Sequence, residues 1–127
     1  MSYSIPKAQA QVEIEIKKSR FIAYAKSIES REMGMLWLEE LKQQYPDARH
    51  HCWAYLLGNP NCATSAAMND DGEPSGTAGK PILNVLNHKN VGDMMGVVIR
   101  YFGGVKLGAG GLTRAYSQAT QAVMEVL

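Results

Sequence analysis

Five glycines fall within nine residues near the end of the chain: Gly103, Gly104, Gly108, Gly110 and Gly111. They sit inside VVIRYFGGVKLGAGGLTRAYSQA, residues 97–119, between an apolar, β-branched run and a helical repeat. A strand, a glycine loop and a helix start in that order let backbone N–H groups converge, and the helix end adds partial positive charge. Lys106 and Arg114 stand where they could add formal charge, so the chemistry indicated is binding of an anion such as phosphate or sulfate. The spacing matches neither the Walker loop nor the dinucleotide GxGxxG pattern. A second reading stays open, in which the glycines supply positive φ for a sharp strand-to-helix connection. Arg100 interrupts a run that otherwise reads as core; it is exposed, paired with a carboxylate, or aimed at a ligand.

The second stretch with chemical potential is NDDGEPSGTAGKP, residues 69–81, with Asp70, Asp71 and Glu73 beside Ser75 and Thr77. Its length exceeds what a plain connector needs. The acids could hold a cation, but their spacing is not that of an EF-hand, and a solvated turn is the simpler reading. Thr77 or Gly79 can cap a following helix with Pro81 in its first turn. Lys80 at that helix start opposes the dipole, a misfit that a bound anion would relieve. His50 and His51 are adjacent on a strand and point to opposite faces, so they do not chelate one metal together. They are satisfied or exposed histidines, or polar contacts beside the glycine loop. No metal, cofactor or catalytic residue is assigned.

These residues need a scaffold. Val12, Ile14 and Ile16 alternate with Glu13, Glu15 and Lys17, predicting a half-exposed strand at a sheet edge. Lys18-Ser19 turns it into a second strand over 21–26. Ser30 caps a helix running to about residue 45, with Met33, Leu36, Trp37, Leu41 and Tyr45 on its apolar side. A central strand follows over 49–57, then a turn at Gly58, Asn59, Pro60 and Asn61, and a strand over 63–69. After the acidic loop come a helix carrying Ile82, Leu83, Val85 and Leu86, a turn at Gly92-Asp93, the strand at 97–102 and the last helix. That helix repeats Leu112, Ala115, Tyr116, Ala119, Val123 and Val126 on one face.

With 127 residues and 46% hydrophobic composition, one domain with a real core is expected. Thirteen basic against twelve acidic side chains exert no overall pull toward nucleic acid, although the chain turns basic after Asp93. No signal peptide and no apolar run near 18 residues are found, so no membrane partner is expected. Cys52 and Cys62 lack CxxC spacing and suit a reducing, cytoplasmic location.

SRFIAY (19–24), DARHHCWAY (47–55), NDDGEPSGTAGKPIL (69–83) and the glycine stretch resemble the N-terminal domain of the YigZ/IMPACT family. The resemblance covers nearly the whole chain. It implies an α/β (α+β) two-layer sandwich resembling domain two of ribosomal protein S-five, a mixed β-sheet with helices on one face in the order ββαββαβα. Residues 1–127 are then a single domain, without the C-terminal ferredoxin-like domain usual in bacterial relatives. The RWD domain of eukaryotic relatives, and the role in translational control that goes with it, is not carried over.

Positions matching the family motifs include Arg49, His50, His51, Asp71, Glu73, Thr77, Lys80, Arg100, Tyr101, Lys106, Gly108, Gly110, Gly111 and Arg114. The expectation built on them is one polar groove between two glycine loops. Lys80, Arg100, Lys106, Arg114, His50, His51 and the amides near Gly108, Gly110 and Gly111 hold phosphate there. Asp71, Glu73, Ser75, Thr77 and Tyr101 line it. The function expected is a translation-related binding protein contacting RNA or the ribosome. The alternatives are a protein–protein interaction module in translational stress control, with a translation-regulatory protein as partner, and an enzyme on a phosphorylated small molecule.

Overall fold

Alternating half-buried and exposed residues along β1 (Ala10–Ile16) confirm an edge strand, paired on one side to β2 (Ser19–Ser27). The structure is a computed structural model and describes residues 9–59 and 62–127. The hairpin closes through Lys17 and Lys18, both at positive φ, one residue earlier than the sequence suggested. Ser19 thereby becomes the first residue of β2 and is fully buried. The elements that follow are α1 (Arg31–Gln44), β3 (His50–Asn59), β4 (Cys62–Asn69), α2 (Gly79–His88), β5 (Met94–Tyr101) and α3 (Gly108–Glu125). Pro60 and Asn61 of the expected β3–β4 turn lie outside the described residues, as does the side chain of Cys62.

The element order is the expected ββαββαβα, and the sheet runs β1-β2-β5-β3-β4. Every pairing in it is antiparallel, so the sheet is not mixed. The reason is topological. β2 and β3 run parallel to each other, and β5 inserts between them in the opposite direction, which removes every parallel neighbour.

One face of the sheet presents Phe21, Ala23, Cys52, Ala54 and Val98 to Ile82 and Leu86 of α2 and to Leu112, Tyr116 and Val123 of α3. This is the two-layer sandwich. The other face carries Ile22, Tyr24, Trp53, Met95, Val97 and Ile99, and there α1 packs through Trp37, Leu38 and Leu41. The helices therefore do not all lie on one face. Residues 21–25 of β2 and 94–99 of β5 are apolar without alternation because they are buried on both sides.

Ser30 caps α1 as expected, its Oγ accepting from Met33 N at 3.1 Å. The buried stripe, however, is Gly34, Trp37, Leu38 and Leu41; Met33 and Leu36 are exposed. Gly34 sets that rotation. A Cβ there would lie 2.9 Å from Met95 Sδ, so only a bare backbone lets this turn of α1 approach β5.

Candidate functional site

Arg100 ends β5 on the α3 face, opposite His50 in β3 and Phe21 in β2. Of the roles open to it, pairing with a carboxylate is the one it takes. Its Nη1 donates to both carboxylate oxygens of Glu73, at 2.8 and 3.1 Å, and its Nη2 donates to Ser19 Oγ at 3.3 Å. Its Cζ lies 5.6 Å from the Phe21 ring centroid and 5.5 Å from that of Phe102. The pair is shielded from water, Arg100 at 5% and Glu73 at 8% exposure. Glu73 also accepts from the Tyr116 hydroxyl at 2.5 Å and lies 3.4 Å from His50 Nε2. His50 Nδ1 lies 2.7 Å from the Asp71 carbonyl, an acceptor, and donates to it. Each lone pair of Glu73 thus has a neighbour, while Nε of Arg100, equally buried, has none.

The acidic loop is ordered from within. Asp70 accepts backbone N–H bonds from Gly76 at 2.9 Å, Ala78 at 3.1 Å and Gly79 at 2.8 Å. Burial opposes its charge, yet these three donors outweigh that and hold its carboxyl below the ordinary value. Asp70 is therefore the anion at the start of α2, and the misfit at Lys80 is relieved by the chain's own carboxylate. Thr77 does not cap α2; its hydroxyl donates to Pro74 O.

The start of α3 is different. It has no side-chain cap and no acidic residue in its first turn. It opens on a cleft of about 390 Å³ lined by residues from four elements of the chain. Arg49 and His50 come from β3 and its approach, Glu73 and Pro74 from the acidic loop, Arg100 and Phe102 from the end of β5. Lys106, Leu107, Gly108, Ala109 and Leu112 close it. Arg49 and Lys106 are exposed, and among the described residues no carboxylate pairs with either; Arg49 rests over Phe102 at 5.2 Å. Gly108 holds φ +74°, and a Cβ there would meet nothing within 4 Å, so the backbone is open to an approaching group.

Of the expected groove residues, His50, Glu73, Arg100, Lys106 and Gly108 come together in this cleft. The others are placed elsewhere. His51 points to the α1 face, where its Nε2 lies 2.9 Å from Tyr45 O. Asp71 accepts from His51 N at 2.7 Å. Tyr101, also on the α1 face, donates to Asp47 and lies beneath Arg20. Lys80 and Ser75 are exposed, on the first turn of α2 and in its preceding loop. Arg114 lines a separate depression of about 200 Å³ with Lys17 and Gly111, and its guanidinium lies alongside Gly110. The acids are engaged within the chain, and among the described residues no His, Cys, Asp and Glu cluster could hold a metal ion.

Phe102, Pro74, Leu107 and Ser19 entered the site without being expected there. For Phe102 a signal existed: the expected strand over 97–102 sets it two residues after Arg100, on the same face, and it lies just past β5. For Ser19 none did, because its burial depends on where the hairpin turns.

The family model described as the Impact N-terminal domain matches residues 17–124. The chain belongs to this family. It is 45% identical over 125 residues to an IMPACT family member of Haemophilus influenzae, covering 98% of this chain and 61% of that protein. A solved structure described as a crystal structure of an hypothetical protein superposes with a TM-score of 0.92 at 41% identity, over 97% of this chain and 60% of the other. The two-domain translational regulator Yih1 superposes with a TM-score of 0.56 at 27% identity, over 95% of this chain and 49% of Yih1. The IMPACT chain thus spans about three fifths or less of each. Among the described residues no helix is long and apolar enough to cross a membrane.

Proposed function

We propose that this IMPACT domain is a translation-related binding module that takes phosphate groups of RNA, free or within the ribosome, at the start of α3. The observation that carries the reading is the contrast between two helix starts. That of α2 is filled by Asp70, whereas that of α3 lacks a side-chain cap and is flanked by Arg49 and Lys106, which pair with no carboxylate among the described residues. Family membership and the likeness to the translational regulator Yih1 support the link to translation.

The test is equilibrium binding to labelled single-stranded and structured RNA across a salt series. Removing one cation that neutralises a phosphate lowers the log–log salt slope by roughly one unit. The Arg49→Ala/Lys106→Ala protein is therefore expected to bind more weakly, with a slope smaller by roughly two units. Arg114→Ala, altering a cation outside the cleft, leaves the slope unchanged. Absence of binding at low salt, or equal slopes for wild type and double variant, refutes the phosphate reading.

A further inference from the structure

We infer that the cleft is built for one terminal nucleotide carrying a phosphate monoester, its phosphate at the α3 start and its base against the apolar wall. The inference rests on the phosphate reading above and narrows it.

The charge pattern points to a monoester. Glu73 and Arg100 neutralise each other at the base of the cleft, which leaves Arg49, Lys106 and the dipole of α3 uncompensated. Two cations without a carboxylate partner among the described residues and a helix start suit the charge of a terminal phosphate, about −1.5 to −2, better than the single charge of a phosphodiester.

The apolar lining requires more than an anion. Pro74, Phe102, Leu107 and Leu112 form much of the wall, and Phe102 keeps 41% of its surface exposed with Arg49 over its ring. A bare phosphate contacts none of these, whereas a nucleobase stacks on such surfaces. The volume, about 390 Å³, is that of a small-ligand site. It accommodates one nucleotide.

Arg100, which lines the cleft, carries one donor with nothing to bind. Arg100 is 5% exposed, and among the buried side-chain polar atoms of the described residues its Nε has no hydrogen-bond partner. A buried donor is costly unless an acceptor reaches it, and bases and ribose both present acceptors.

The source is a free mononucleotide or the end of an RNA strand, and the experiment separates them. Calorimetry compares adenosine monophosphate, adenosine and inorganic phosphate on the whole chain. Anisotropy compares one short RNA with a 5′-phosphate, a 3′-phosphate or neither. The monophosphate is expected to bind roughly tenfold or more tighter than inorganic phosphate, and to displace the phosphorylated RNA. Phe102→Leu abolishes that preference, while Lys106→Ala, on an exposed side chain, weakens monophosphate and phosphate alike. Equal affinity for monophosphate and inorganic phosphate overturns the nucleotide inference and leaves the phosphate reading standing. So does RNA binding that ignores terminal phosphate and resists competition. Monophosphate binding without any RNA binding supports the nucleotide site and overturns the RNA reading instead.

Discussion

Arg100 Nη1 lies 2.8 Å from Glu73 Oε2 and 3.1 Å from Oε1, joining the end of β5 to the loop before α2 in an ion pair that water barely reaches. Around the pair lie the hydroxyls of Tyr116 and Ser19 and, 3.4 Å from Glu73, His50 Nε2. Removing one partner strands the other in a medium that solvates it poorly. Glu73→Ala and Arg100→Ala are each expected to cost about 3–5 kcal/mol in urea unfolding. The double change Glu73→Leu/Arg100→Met costs less than the sum of its single changes, because it leaves no orphaned charge. Single variants within about 1 kcal/mol of wild type would show that the pair does not organise the cleft.

Asp70 makes the acid limb of the stability curve a local measurement. Its carboxyl is held below the ordinary value by the backbone N–H groups of Gly76, Ala78 and Gly79. A carboxyl depressed in the folded state contributes stability that is present above its unfolded value, near about pH 4, and is lost as pH falls through the folded value. Asp70→Asn removes that dependence, so the variant's urea midpoint falls less steeply than wild type's below about pH 4. Asp70→Ala also uncaps α2, at about 1–2 kcal/mol near neutral pH. Parallel acid limbs for wild type and Asp70→Asn would contradict the assignment.

The features that could be read in the sequence are those decided within a few residues. Ile14 beside Glu13 and Glu15 reveals an edge strand, Ser30 announces α1, and Leu112, Tyr116 and Ala119 display the buried face of α3. What escaped depends on distant partners. The run at residues 21–25 is apolar throughout, so it carries no mark showing that α1 covers one face while α2 and α3 cover the other. The role of Arg100 was settled by a residue 27 positions away. Lys80 exposed a misfit at the start of α2, but only the fold shows that Asp70 relieves it. The cleft was half legible for the same reason: Lys106 and Gly108 belong to the local motif, whereas Arg49 and Pro74 arrive through topology.

Cys52 is a free thiol wedged between the Asp70 carbonyl, 3.1 Å away, and the Tyr116 hydroxyl at 3.4 Å. Burial pushes its pKa up, and the charges of Glu73, Asp71 and Asp70 add to that effect against the hydrogen bond it shares with the Tyr116 hydroxyl. The thiolate, the reactive form, is therefore suppressed until the chain opens. In a Cys62→Ser background, iodoacetamide labelling at about pH 8 is expected to be slower than in urea by a factor on the order of 100 or more. A native rate within a few-fold of the unfolded rate would mean that the α3 face of β3 opens far more readily than its packing implies.

Gly103 tests whether the glycine loop is shaped by its neighbours or by its own turns. A Cβ on it would lie 1.9 Å from Lys18 O and 2.1 Å from Lys18 C, backbone atoms of the β1–β2 turn. Its N–H donates to Ser19 Oγ at 3.3 Å, the same oxygen that receives Arg100 Nη2. Gly103→Ala must therefore lift the end of β5 off the hairpin and loosen Ser19 from Arg100, at about 2–3 kcal/mol. Gly104 differs: it holds φ +90° in open space, so Gly104→Ala meets only backbone strain of about 1–2 kcal/mol. Because Gly103 heads the loop that carries Lys106 to the start of α3, its variant is also expected to bind RNA more weakly than Gly104→Ala. Melting temperatures read by circular dichroism, with binding measured on the same samples, check both orders. Equal melting temperatures for the two variants would show that the close approach to Lys18 does not constrain the loop.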